Sequence, residues 1–220
     1  EAIRIKEKRV GSEIALITLG PEKVREVLRT GLAMGADQAV HLMDPAFDGL
    51  DHLGIAQVLA KTIQSMPYDL ILCGRQAVDD DMAQVGPALA VLLGIPCVTV
   101  ATRLELAEDG RRATVTRQIE GGTEILESSM PLVVTCQKGL NTPRLPSLKG
   151  IMAAKKKAIK VLDAKSLGLD ATAIDSKNNK VRVIDLSLPP GRKKGIILEG
   201  TAQESASKLV KILREDVKAV

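Results

Sequence analysis

Asp69-Leu70-Ile71-Leu72-Cys73-Gly74-Arg75-Gln76-Ala77-Val78-Asp79-Asp80-Asp81-Met82-Ala83-Gln84-Val85-Gly86-Pro87 decides how the rest of the chain folds. Its first five residues are almost continuously apolar and stop at a glycine, as does a strand covered on both faces in a parallel sheet. A polar loop follows, and Pro87 marks the start of a short helix that runs to Leu93 and stops at Gly94. Strand, loop and helix in that order make half of a βαβ unit, whose ligands bind beyond the carboxyl ends of the strands.

The same alternation extends upstream. Ala2, Ile3 and Ile5 among Arg4, Lys6, Glu7 and Lys8 fit the last turns of an amphipathic helix ending at Gly11. Glu13 to Leu19 is a second apolar run, closed by Gly20, with Pro21 placed as a first helical residue. Val24, Val27, Leu28, Leu32 and Met34 carry helical spacing to Gly35, Gln38 to Leu42 reads as a strand, and Asp51 to Met66 as a helix. The expected fold is therefore α/β, a mostly parallel, helix-covered, Rossmann-like sheet.

Downstream the period changes. A strand around Cys97 to Val100 leads into alternating segments at Thr114-Val115-Thr116 and Thr123-Glu124-Ile125-Leu126, punctuated by Asp109-Gly110 and Gly121-Gly122. These predict antiparallel hairpins added to the core, with Pro131 to Cys136 returning as a central strand. From Gln137 the chain turns loop-like and then basic, with a short helix expected over Ile151 to Lys157 and an amphipathic one over Thr201 to Val217. Residues 1–150 are expected to form the α/β domain, and 151–220 an extended C-terminal arm that buries its apolar residues on another chain.

Composition excludes several functions. The 220 residues are 45% hydrophobic and 26% charged, enough apolar material for a substantial core. One Phe, one Tyr and no Trp leave no platform for stacking unpaired bases, and a net charge of +4 is too modest to imply nucleic acid. Cys73, Cys97 and Cys136 are far apart, each in an apolar run, so they read as strand thiols in a reducing cytoplasm. No run approaches the roughly 18 apolar residues of a membrane span. The chain opens in helical spacing without Met, which suggests a preceding segment.

The loop at 74–86 is the best candidate for chemistry. Free N–H groups at the helix start, with Gly74 and Gly86 for close approach, suit a phosphate, and Gln84 adds an amide. Asp79, Asp80 and Asp81 would repel that phosphate if all three faced it, so the expectation is that some cap the following helix while another accepts from ribose hydroxyls or lends only its N–H. GxGxxG and GxxxxGK[ST] are both lacking, so neither a dinucleotide fingerprint nor a P-loop is present. His41 and His52 lack a spaced Ser or Cys partner and read as structural, and no catalytic residue or metal site is assigned. Lys155-Lys156-Lys157, Lys160 and Arg192-Lys193-Lys194 are basic clusters near Ser147-Leu148-Lys149-Gly150. A leucine rimmed by lysines suits an anchor for an acidic partner.

Together, Gly74 to Asp81 with Gln84 and Gly86, the stretch Asn141-Thr142-Pro143-Arg144-Leu145-Pro146-Ser147-Leu148-Lys149-Gly150-Ile151-Met152-Ala153-Ala154-Lys155-Lys156-Lys157, and Gly31 to Asp37 resemble the beta (small) subunit of electron-transfer flavoproteins. The resemblance implies a heterodimer with an alpha subunit that holds most of a redox-active FAD, while the beta subunit buries a structural AMP. It also implies an electron carrier between acyl-CoA-type flavin dehydrogenases and a quinone reductase or other acceptor, with no membrane span, and the mitochondrial matrix in place of the cytoplasm if the chain is eukaryotic. By position, Gly74, Ala77, Asp80, Ala83, Gln84, Val85 and Gly86 line the nucleotide, and Leu148, Lys149, Lys155 and Lys156 dock the dehydrogenase.

The AMP-binding form carries Asn and Thr where Ala83 and Val85 stand here. Ala83 to Pro87, the Leu148 context and Arg192 to Gly195 look more like the electron-bifurcating branch, an NADH-linked oxidoreductase with a second FAD in the AMP place. That branch usually has Gly and Thr where Asp80 and Met82 stand, so AMP and a second FAD both remain open. A stand-alone nucleotide sensor explains the loop but not the long arm. The family also begins with a strand and loop that contribute to the pocket and that this sequence does not contain.

Overall fold

Apolar runs of this kind bury both faces of a strand, and in the computed structural model, which describes residues 1–170, 172, 174–191 and 195–218, they pair in parallel. In chain order the elements are α1 (Ala2–Lys8), β1 (Ala15–Leu19), α2 (Arg25–Met34), β2 (Gln38–Leu42), α3 (His52–Ile63), β3 (Leu70–Gly74) and α4 (Val85–Leu93). Then follow β4 (Cys97–Leu106), β5 (Arg112–Ile119), β6 (Gly122–Ser129), β7 (Leu132–Cys136), α5 (Leu148–Lys156), β8 (Lys160–Leu162) and α6 (Ala202–Glu215). One sheet has the order β1-β2-β8, wholly parallel, and the other β3-β7-β4-β5-β6, in which β4-β5 and β5-β6 are antiparallel. The α/β, mostly parallel architecture with an added antiparallel hairpin is the one expected, and β7 lies centrally between β3 and β4.

The starts of the elements differ from expectation where a neighbouring group sets them. Pro21 precedes a 3₁₀ turn, Glu22–Val24, so α2 begins only at Arg25. Helix α4 begins at Val85, ahead of Pro87, and β4 runs on to Leu106 through a bulge. At that bulge Val100 has φ of 60°, a costly conformation for a β-branched residue, and its N–H donates to Thr135 Oγ1 at 2.9 Å. Helix α5 begins at Leu148, because the Ser147 side chain accepts from Gly150 N–H and caps it.

The first compact unit extends from Glu1 to Arg182, and the second from Val183 to Val220, so the division does not fall at residue 150. Residues 151–182 belong to the first unit for visible reasons. Strand β8 pairs with β2, Ala154 is buried with Leu28, Leu32 and Ala33 of α2, and Ala164, Leu167 and Ile174 join Val40, Leu42, Phe47 and Val58 in a core. Asp51, the N-cap of α3, accepts from Gly54 N–H and also from Lys180 and Val181 N–H, which ties this segment to the helix start. Arg192-Lys193-Lys194 lie outside the described residues. In the second unit α6 opens with a capping box between Thr201 and Glu204.

His41 is wholly buried in β2, and its Nε2 lies 2.8 Å from the Gly20 carbonyl, the structural role expected of it. The three cysteines are half-buried and free, and burial, with Cys136 and Cys97 nearby, pushes the Cys73 thiol up to about 11. Asp37 ties α1 to the segment that leads into β1. It accepts from Lys6 Nζ of α1 at 2.6 Å and from Ile14 N–H at 2.8 Å. Burial pushes its carboxyl up, but Lys6, the Ile14 N–H and Lys157 outweigh burial and hold it below its usual value.

A carboxyl depressed on folding adds stability above its unfolded pKa of about 4, and that stability vanishes as pH falls through the lower folded value. Asp37→Asn is therefore expected to cost about 1 kcal/mol near neutrality, with a gap from the parent that stays level down to roughly pH 5 and closes below about 4. Urea unfolding of both chains across that pH range measures it.

Candidate functional site

Strand β3 ends at Gly74, and Arg75 N–H donates to the Cys136 carbonyl of β7, so the chain leaves the carboxyl end of two parallel strands and enters an exposed loop. Nothing lies within 4 Å of the place a Gly74 side chain would occupy, so the backbone there is open to a ligand. Ala77, Asp80 and Ala83 are exposed on the loop, Gln84 is the N-cap of α4, and Val85 and Gly86 form its first turn. No side chain caps this helix, and Pro87 has no N–H, so the Val85 and Gly86 amides are donors of the kind a helix start leaves free.

Two expectations about this loop change. The aspartates do not cap α4; they hold the loop itself. Asp79 accepts from Asp80 N–H, Asp80 accepts from Met82 N–H, and Asp81 accepts from the Gln76 side-chain amide. Gly86 is required by packing: a side chain there would meet Thr135 Cγ2 at 2.5 Å, so α4 lies against β7 only because that carbon is missing. Asp81 and Ala83 have φ of 58° and 53°, left-handed values that non-glycine residues adopt at a cost.

The sequence reading also missed a partner. His52, in the first turn of α3, brings Nε2 to 2.8 Å from Asp80 Oδ2. That hydrogen bond, with the Met82 N–H adding to it, holds the Asp80 carboxyl below its usual value. The two residues are 28 positions apart, and only the pairing of strand and helix layers brings them together.

The second group of candidate residues sits elsewhere, on α5 against α2. Leu148 is 83% exposed on the first turn, followed by exposed Lys149, with Lys155 and Lys156 exposed on the last turn. The helix is seated by Gly150, whose missing side chain would fall 2.2 Å from the Ala33 carbonyl oxygen. Arg29 of α2 adds to this by donating to the Ala154 and Lys157 carbonyls. Lys157, read as part of the basic run, instead donates its ammonium to the Ala36 carbonyl at 2.6 Å. Arg144 forks onto both Glu7 carboxylate oxygens at 2.8 and 2.9 Å, bracing the preceding loop against α1. Among the described residues no cluster of His, Cys, Asp or Glu is arranged to hold a metal ion, and no helix is long and apolar enough to cross a membrane.

Comparison with known proteins agrees with the resemblance. Residues 1–167 match the electron transfer flavoprotein domain family. The chain is 42% identical to the electron transfer flavoprotein subunit beta of Bacillus subtilis over 221 residues, covering 100% of this chain and 84% of that one. It is 42% identical to the Bos taurus subunit beta and 40% to the Homo sapiens one, in each case over 97% of this chain and 81% of the relative. Identity of this order, sustained from end to end and carried by the whole fold described above, shows that the chain belongs to the electron transfer flavoprotein beta-subunit family.

Proposed function

We propose that the loop between β3 and α4 seats the adenylate part of AMP. In this reading the chain, joined to an electron transfer flavoprotein alpha subunit that holds FAD, carries electrons from flavin dehydrogenases to a quinone reductase or another acceptor. The observation that carries the reading is the junction at Gly74: an open glycine, an exposed loop and an uncapped helix start at the carboxyl end of a parallel strand.

The residues present fit such a group. An anion at the start of α4 meets the Val85 and Gly86 amides and the helix dipole, with Gln84 beside them. Ala83 and Val85 bring no polar side-chain atom, so at those two positions the backbone does the binding. The aspartates that would repel a phosphate are engaged with loop N–H groups, Gln76 and His52. The flavin of the alpha subunit supplies the redox chemistry when bound. This chain supplies the seat, a clasp in residues 183–220 and a dock in α5.

Denaturing the purified heterodimer and quantifying the released nucleotides tests this directly. One FAD and one AMP per heterodimer are expected. Two FAD and no AMP would place the chain in the electron-bifurcating branch, and no adenine nucleotide beyond the alpha subunit's FAD would remove the seat altogether. Gln84→Ala, an exposed position, is expected to leave stability within about 0.5 kcal/mol while lowering AMP retention. Equal retention would strike Gln84 from the seat.

A further inference from the structure

We infer that His52 is a positioning residue for the nucleotide seat: it holds the β3–α4 loop in its binding shape through Asp80, from the first turn of α3. The inference rests on the reading of that loop as the seat of an adenylate.

Three observations carry it. The loop's conformation is a costly one, with two non-glycine residues, Asp81 and Ala83, in the left-handed region, so something must hold it there. Among the described residues, the hydrogen bonds of residues 76–84 otherwise run within the loop or into α4. They join Gln76 to Asp81, Asp81 to Ala77, Asp79 to Asp80, Asp80 to Met82 and Gln84 to Ala88. The bond from His52 ties the middle of the loop to another layer of the fold.

The geometry also assigns the proton. A carboxylate only accepts, so His52 Nε2 donates to Asp80 Oδ2. The imidazole side chain is 20% exposed, and its Nδ1 is buried without a hydrogen-bond partner among the described residues. From the first turn of α3, Nε2 is the ring nitrogen that engages the loop. Asp80 is thereby engaged at Oδ2, and at Oδ1 by Met82 N–H, so both of its carboxylate oxygens have a partner within the protein. His52 thus holds the loop and gives a carboxylate that would otherwise be free to repel an anion a partner within the protein.

The test uses the 220-residue chain in its purified complex, with His52→Ala and His52→Gln, and AMP as the probe. Backbone hydrogen exchange of residues 76–84 and the rate of AMP loss on dilution are read together. His52→Ala is expected to raise both roughly threefold, the size of an exposed charge-assisted contact. His52→Gln, whose terminal amide N–H₂ replaces Nε2 as a donor, is expected to restore both. A glutamine variant as leaky as the alanine variant would reduce His52 to packing and overturn the proposal, as would unchanged exchange and release in His52→Ala. Faster, glutamine-rescued exchange in a complex that never contains AMP would leave the tether standing and overturn the nucleotide seat on which the inference rests.

Discussion

A chain that ends at Arg182 is expected to fold and unfold like the 220-residue chain and yet to form no measurable complex with an electron transfer flavoprotein alpha subunit. The first half of this follows from where the core lies. Its four apolar clusters draw on residues between Ile14 and Ile174, and the last tie of the compact unit is Asp51 with Lys180 and Val181, before the cut. The second half follows from what the removed segment exposes. Val183, Ile184, Leu186, Leu188, Ile196 and Ile197 are each between 68% and 93% exposed, and α6 buries no residue. A helix of 14 residues is marginal by itself in water and gains its stability from a covered face. Six large aliphatic side chains moved from water into an interface contribute on the order of 10 kcal/mol before the costs of association are subtracted. Losing them shifts the dissociation constant by several powers of ten. Size-exclusion chromatography with calorimetric titration measures association, and thermal scanning of the truncated chain alone separates lost binding from lost folding. Association within tenfold of the 220-residue chain would sink the clasp.

Much of this arrangement could be read from residue order because the signals were local. Apolar runs closed by glycine mark β1 and β3, Gly121 lies in the tight connection between β5 and β6, and helical spacing over Thr201 to Val217 contains α6. What could not be read depends on contacts across the chain. Ser147 caps α5 locally, but the seat of that helix is set by Gly150 against the Ala33 carbonyl of α2, more than a hundred positions earlier. The places of Lys160 to Leu162 and of Lys180 and Val181 come from β8 joining β2 and from Asp51 accepting from the two N–H groups, not from an amphipathic pattern.

The candidate site divides the same way. Its position at the end of β3 and the free start of α4 followed from the strand, glycine, loop and helix order. The work of the aspartates did not: residue type suggested helix capping, whereas the loop folds back on itself and spends them on its own amides and on His52. Gly86 likewise looks like room for a ligand in a linear reading and is room for Thr135 in three dimensions. Both readings lacked the neighbours, His52 and Thr135, that the fold brings to the loop from elsewhere in the chain.

Leu148→Ala is expected to slow electron transfer from the partner dehydrogenase about thirtyfold at subsaturating concentration, the effect of removing a central anchor worth about 2 kcal/mol. The side chain suits that role because its exposure is matched by a rigid base. The Ser147 cap, Gly150 against Ala33, and Arg29 on the Ala154 carbonyl hold α5 in place, so little order must be imposed on binding. Since Leu148 is 83% exposed, its loss should leave thermal stability within about 0.5 kcal/mol and nucleotide content unaltered. Replacing Lys149, Lys155 and Lys156 with Gln should act differently, lowering the association rate and flattening its dependence on salt, because rim charges steer the encounter. Ser147→Ala provides the link between the two: it keeps leucine and lysines but frays the first turn of α5 at a cost near 1 kcal/mol, so it should slow transfer severalfold, less than Leu148→Ala. Stopped-flow reduction of the complex by its dehydrogenase orders the variants. Unchanged kinetics in Leu148→Ala would take the anchor out of the interface, and a loss confined to the lysine variant would mean that α5 acts through charge alone.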